Sequence, residues 1–277
     1  MRKTIDRETL KAAVAAHPQF RSVPDVAVPI MTMFNTPATT FRDLAGVIKK
    51  SPHLTERVLT VVNSGFYGFR RRVETVDRAV VLLGWNAIKM ITLGSTILNQ
   101  MLSSDQHLYD HSLRTTVIAR HLAMEAGFYK VEEIAVEGLL HDIGRIILEE
   151  CFPKQYIQVK QYILDHGVPV HIAEREVLGL DHGRIGGWTL EEWNLPKNIS
   201  STVTWHHDFK PNTYHARKTA VIHIADVLAL VSDVRGPAWE KIPELSPEAL
   251  ETLNLTEIEF RDIVHTIMRM RFDSFVL

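Results

Sequence analysis

Helix punctuation recurs along this chain at spacings that leave little room for strands. Ser51-Pro52 joins a capping hydroxyl to a proline at a first helical position, where its missing N–H costs nothing. The segment it opens carries Leu54, Val58, Leu59, Val61 and Val62, spaced to bury one side, and it ends near Asn63-Ser64-Gly65. Thr40 stands likewise before Phe41, Leu44, Ala45, Val47 and Ile48. Thr75 precedes Val76, Ala79, Val80, Leu82 and Leu83, with Gly84 as terminator. Pro24 opens a helix through Met33, and Pro29 predicts a kink or a late start there. Further on, 110–126, 131–149, 154–166, 182–194, 196–206 and 215–231 read as helices, punctuated by Gly127, Gly167, Gly179 and Pro196. A connector from Arg235-Gly236-Pro237 to Pro247 leads to closing helices at 247–253 and 257–272. The expected fold is all-α, a helical bundle without internal repeats.

Composition narrows the function classes. Hydrophobic residues are 45% and charged residues 23% of 277, an ordinary soluble balance. With 31 Lys plus Arg against 33 Asp plus Glu, the chain lacks the dense positive footprint of a nucleic-acid binder, so no nucleic-acid partner is expected. The apolar run 79–85 is far too short to span a bilayer, and the start mixes both charge signs without a signal-peptide core. One cysteine, Cys151, excludes an internal disulfide and fits a reducing, cytoplasmic setting. Phe152 and Pro153 follow it and no base is evident, which disfavours a nucleophilic role.

Histidine is over-represented: there are 14, and only His17 and His53 precede the polar loop Ser103-Ser104-Asp105. The clearest motif is Gly138-Leu139-Leu140-His141-Asp142-Ile143-Gly144-Arg145. Adjacent helix positions point about 100° apart, so His141 and Asp142 do not share a face, but both can converge near the helix flank. Imidazole nitrogen with carboxylate oxygen suits a borderline divalent cation such as Fe, Mn, Zn or Ni. Candidate companions are His111, His182, the pair His206-His207, and Asp226. The two acids balance charge that imidazoles alone leave on a dication.

The order His111, His141-Asp142, Asp226 resembles the HD superfamily of metal-dependent phosphohydrolases. In its HD-GYP branch further histidines bind a second metal. The resemblance implies a first ion on His111, His141, Asp142 and Asp226, and a second on His182, His206 and His207, shared through Asp142. Two departures stand out. Asp208-Phe209-Lys210-Pro211 replaces the Gly-Tyr-Pro segment, and Arg145 occupies the place of a lysine, with a bulkier fork. In the first half, Ser51-Pro52-His53-Leu54 through Leu59, Asn63-Ser64-Gly65-Phe66-Tyr67-Gly68 and the Leu83-Gly84 terminator are similar to the HDOD (HD-related output domain) family. So is Gly186-Gly187-Trp188 through Trp193-Asn194-Leu195-Pro196 to His206-His207. The likeness covers roughly 20 to 230. It implies a bacterial regulatory module of signal transduction, with an N-terminal helical subdomain (1–103), an HD-like histidine-rich subdomain (104–232) and a C-terminal helical extension (233–277).

Two functions follow from that resemblance. One is a signalling module that docks a protein partner or a second copy, with a structural or sensory metal centre. The other is a metal-dependent phosphohydrolase acting on a phosphoester, with Asp142 and Arg145 as its catalytic residues. Other features read more simply. His121 and His223 are expected at a surface or helix face, and His107, His166 and His171 show no partner pattern. Arg70-Arg71-Arg72 reads as a solvated run, and Asn63 and Ser64 as turn formers. One of Trp188 and Trp193 belongs in the core and the other at a subdomain seam. The apolar tail Phe275-Val276-Leu277 either packs on the body or forms a dimer contact.

Overall fold

Thr40 opens its helix through a reciprocal pair of bonds. Its hydroxyl accepts from the Asp43 N–H while the Asp43 carboxylate accepts from the Thr40 N–H at 2.8 Å, a capping box. Ser51 caps through Leu54 N and Thr75 through Arg78 N, both at 3.3 Å. In the computed structural model the residues described are 5–18, 20, 33, 40–63, 69, 71–84, 88, 91, 105–233, 236, 240–270 and 272. Outside them lie the expected helix start at Pro24 and Pro29, the turn at Ser64-Gly65, the segment Phe66-Tyr67-Gly68, and Arg70. Ser103, Ser104, Arg235, Pro237 and the tail Phe275-Val276-Leu277 fall outside as well.

Among the described residues there is no strand, and the all-α expectation holds. The helices are α1 (Arg7–Ala16), α2 (Phe41–Lys49), α3 (Pro52–Asn63), α4 (Gln106–Glu125), α5 (Val131–Leu140), α6 (Ile143–Cys151) and α7 (Pro153–His166). They continue with α8 (Val170–Leu178), α9 (His182–Glu192), α10 (Lys197–Trp205), α11 (Ala216–Ser232), α12 (Pro247–Leu253) and α13 (Glu257–Arg269). Residues 76–84 are helical too and end at Gly84, whose φ of 79° needs no Cβ penalty. No helix among these residues is long and apolar enough to cross a membrane.

Three findings differ from the sequence expectation. Two helices, α1 and α8, were not anticipated. The expected single helix 131–149 is two, broken at His141-Asp142, where Asp142 leaves helical geometry with φ −99° and ψ 10°. The closing helix stops at Arg269 rather than 272.

Three apolar clusters organise the packing. Leu44, Ile48, Leu54, Val58, Val62, Val76 and Val80 form one, built from α2, α3 and 76–84. A second joins α1 with α5 through α10, including Leu10, Leu140, Ile143, Ile147, Val159, Ile185 and Val203. A third joins α4, α11, α12 and α13 around Ile118, Leu122, Ile224 and Ile267. Thus α1 packs on α6 and α9 in the histidine-rich part. The helix crossing that matters most for the site is α6 on α9. A Cβ on Gly144 would overlap the backbone carbonyl of His182, so only glycine permits this approach. On the other side of α9, a Cβ on Gly187 would overlap the Thr204 hydroxyl of α10.

Asn63 has a structural role beyond ending α3. Its side-chain amide donates to Leu59 O (2.7 Å) and Val73 O (2.8 Å) and accepts from Val73 N (2.7 Å). Trp193 is the core tryptophan of the pair, its indole N–H donating to Phe20 O at 3.2 Å.

Candidate metal centre

Each candidate ligand occupies a distinct structural niche. His111 lies in the second turn of α4 and Asp226 near the middle of α11, the two longest helices among the described residues, which pack on each other. The others sit at helix ends: His141 caps the C-terminus of α5, Asp142 lies in the break before α6, His182 begins α9, and His206-His207 close α10. Breaking the helix at 141–142 is what turns the His-Asp pair inward. Six of the seven are buried, and the side chain of His207 nearly so.

The fold brings all seven into two adjoining groups. His111, His141 and Asp226 form one, and Asp142, His182, His206 and His207 the other; in each the potential donor atoms lie within 4.8 Å of one another. In the first, His111 Nε2 is 3.2 Å from His141 Nε2 and 3.1 Å from Asp226 Oδ1. In the second, His182 Nε2 is 2.9 Å from both Asp142 Oδ1 and His207 Nε2, and His206 Nε2 is 3.8 Å from Asp142 Oδ1. Donor atoms bound to one ion at 2.0–2.2 Å stand about 3 Å apart, which matches the shorter of these spacings. Asp142 faces both groups: Oδ2 is 3.7 Å from His111 Nε2 and Oδ1 is 3.4 Å from His141 Nε2.

Hydrogen bonds at the far ring nitrogens aim the near ones inward. His141 Nδ1 donates to Gly138 O (2.7 Å), His206 Nδ1 to Val203 O (2.7 Å), and His182 Nδ1 to Glu174 Oε2 (2.6 Å). This arrangement commits Nδ1–H and leaves each Nε2 facing the cluster, the usual order around a metal-binding imidazole. His206 Nε2 and Asp226 Oδ2 are buried there without any hydrogen-bond partner. An orphaned acceptor costs free energy, so the donor set fits a cation in chemistry as well as in spacing.

Charge is divided sharply within the cluster. Burial alone would raise the Asp142 carboxyl, but His141, His182 and Arg145 hold it well below the usual carboxylate range. Asp226 is held down too, against its burial, by bonds to His111 and His141. Burial followed by repulsion from His141 and His182 pushes His206 down to about 3. Burial and the neighbouring His206 and His171 also hold His207 well below the usual imidazole value. His182 goes the other way: despite burial, Glu174 and Asp142 raise it well above the usual imidazole value. A proton there bridges two carboxylates, and a divalent ion would compete for the same Nε2 lone pair.

Several residues at the cluster were not singled out by sequence. Glu174, fully buried on α8, accepts from both the ring and the backbone N–H of His182. His171, expected without partners, is 8% exposed and stacks on His207 with ring centroids 4.1 Å apart. His223, expected at a surface or helix face, is 4% exposed. Its Nδ1 donates to His206 O, and its Nε2 accepts from Ser246 N at 3.0 Å. The reason is that α11 is buried on nearly every side, so no helix face was left for solvent. His107, also expected without partners, lies 3.2 Å from Asp233. Arg145 is buried between Asp142 (3.2 Å) and Glu240 (2.8 Å). The only available signal for Glu174 and His171 was their place three apart, one helical turn, shortly before His182.

The chain thus joins an all-α fold to a buried His/Asp cluster, drawn partly from helix ends and partly from inside two long helices. The HDOD domain matches residues 20–209, and the chain belongs to that family. An HDOD domain protein with unknown function from Geobacter sulfurreducens superposes with a TM-score of 0.78 at 24% identity, covering 98% of both chains. A candidate phosphohydrolase from Shewanella amazonensis SB2B gives 0.73 at 19%, over 96% of this chain and 95% of that one. A candidate signal transduction protein from Marinobacter aquaeolei VT8 gives 0.74 at 20%, over 91% of this chain and 57% of that one. At these identities the likeness concerns the fold. An uncharacterized protein of Treponema pallidum (strain Nichols) is 22% identical over 247 residues, 86% of this chain. The chain spans about half of that relative, 48% of its length.

Proposed function

We propose that this HDOD chain is a cytoplasmic signal-transduction module built on a metal centre. One or two divalent ions, of Fe, Mn, Zn or Ni, are held by His111, His141, Asp142 and Asp226 and by His182, His206 and His207. The N-terminal helices (1–103) serve as the docking surface for a signalling partner or a second copy, and the histidine-rich part (104–232) carries the ion. The supporting observation is the meeting of both donor groups at the Asp142 carboxylate, with the outer nitrogens of His141, His182 and His206 already committed. The signalling assignment draws on the HDOD family and on the Marinobacter protein of like fold. Elemental analysis of protein purified without chelator or histidine tag tests this reading. One or two equivalents of a divalent metal are expected, with loss in Asp142→Ala; metal at background in both proteins overturns it.

A second reading, metal-dependent phosphohydrolase, is favoured by Arg145, a buried guanidinium against the carboxylate that faces both groups. A bound metal would supply Lewis acidity and a water of lowered pKa. In that reading Asp142 and the histidines hold the metal, and Arg145 orients the phosphoryl group. Turnover of cyclic dinucleotides, nucleotides or simple phosphoesters with Mn²⁺ or Fe²⁺, lost in Asp142→Ala, is its expected result. Equal rates in both proteins dismiss it.

A further inference from the structure

Two histidines of the second donor group each have an acid as chain neighbour: Asp181 precedes His182 and Asp208 follows His207. One side chain takes both acids. Arg175, on α8, donates from Nε to Asp181 Oδ2 at 2.6 Å, and its Nη1 stands 2.9 Å from Asp208 Oδ1. Asp181 is 2% exposed, so its carboxylate needs a cationic partner. It also caps α9, its Oδ1 accepting from Arg184 N at 2.9 Å across the turn that begins with His182. Asp208 is tied back to the end of α10, its N–H donating to Trp205 O at 3.0 Å. The two helix ends meet closely: a Cβ on Gly183 would stand 3.1 Å from Val203 O and 3.2 Å from Thr204 O.

The same face of α8 addresses this pair of histidines at three points. His171, Glu174 and Arg175 are spaced i, i+3 and i+4 and so are neighbours on the helix surface. His171 stacks on the His207 ring, Glu174 holds His182 Nδ1, and Arg175 takes the acid beside each. His182 Nε2 and His207 Nε2 consequently stand 2.9 Å apart although 25 positions separate them in the chain. A guanidinium offers five donors in a rigid planar fork, which can fix two carboxylates relative to each other. We propose that Arg175 is a positioning residue for the second donor group: by clamping Asp181 and Asp208 it sets the spacing of His182 and His207. The purpose of that spacing rests on the metal reading; the clamp itself does not.

The first measurement is free of metal. Diethyl pyrocarbonate labels imidazoles, and its rate at each histidine of the chelator-treated full chain is read by peptide mass. In Arg175→Met, His207 is labelled about three- to tenfold faster than in the parent, the factor that a half-exposed charge-assisted bond supplies. Exposed His166, buried His223 and His111 of the first group keep their rates. Arg175→Lys recovers part of the protection. In Asp208→Asn the added Arg175→Met changes the rate less than it does in the parent, because the two residues act through one contact. Unchanged His207 labelling, equal acceleration at His223 and His111, no recovery with lysine, or fully independent effects of the two substitutions each overturn the proposal. The second measurement is chelator competition on the metal-loaded chain. Arg175→Met weakens the ion that His206→Ala abolishes by about 10–100-fold and leaves the ion at His111, His141 and Asp226 within about twofold. Equal weakening of both ions, or of neither, also overturns it. A parent chain that binds no ion dismisses the metal reading alone, and the labelling then decides for or against the clamp.

Discussion

At the scale of single residues, Glu174 shows how much of the centre rests on groups outside the ligand set. Its carboxylate takes both the ring and backbone N–H of His182, fixing tautomer and orientation together. Outer partners of this kind are worth roughly 10–100-fold in metal affinity. Glu174→Gln is therefore expected to weaken the ion at His182, His206 and His207 by about that factor in chelator competition. The ion at His111, His141 and Asp226 should be retained, and equal weakening of both would make Glu174 merely structural. Glu137 gives a separate, pH-dependent prediction. Burial pushes its carboxyl up to about 7, against the pull of Lys218 at 2.8 Å. The folded state thus holds this proton more tightly than the unfolded chain. The resulting stability is present below pH of about 4.5, fades as pH rises and is gone above about 7. Relative to Glu137→Gln, the parent should lose up to about 3 kcal/mol between pH 4.5 and 7 in denaturant titrations. Parallel pH profiles for the two proteins would exclude this.

At the scale of elements, the contact of α6 with α9 carries the site, because Asp142 precedes one helix and His182 begins the other. Gly144→Ala places a methyl group against the His182 carbonyl, and backbone cannot yield as a side chain tip can. A loss of about 1–3 kcal/mol or more is expected in denaturant unfolding, together with reduced metal content. A variant as stable as the parent, with metal unchanged, would mean the crossing is looser than it looks. Two features at this scale leave little trace in the sequence. The break at His141-Asp142 was hidden because apolar residues continue on both sides, from Ile134 to Leu148. The helix α8 was missed because its buried face includes His171 and Glu174, which do not register as apolar periodicity. By contrast α2, α3 and the stretch 76–84 were legible, since Thr40, Ser51 and Thr75 announce them and their inward faces are aliphatic.

At the scale of the whole molecule, four stretches meet at one place: α4, the α5–α6 break, α9–α10 and α11. An ion there would tie them in the folded state and not in the unfolded chain, so it stabilises by mass action. Chelator is expected to lower the thermal midpoint of the parent and to leave Asp142→Ala unmoved. The same midpoint with and without chelator in the parent would show that the cluster stands on its packing alone.

Helical class, cap positions and the order of the His and Asp residues were decided by local chemistry: caps, prolines and the 3.6-residue repeat act within a few positions of the chain. Which side chains meet was decided only by packing. Glu174 meets His182 because α8 folds back beside the start of α9, His171 meets His207 across 36 positions, and Glu240 meets Arg145 across nearly a hundred. Such pairings depend on helix axes and close approaches like that at Gly144, which no periodicity in the sequence encodes.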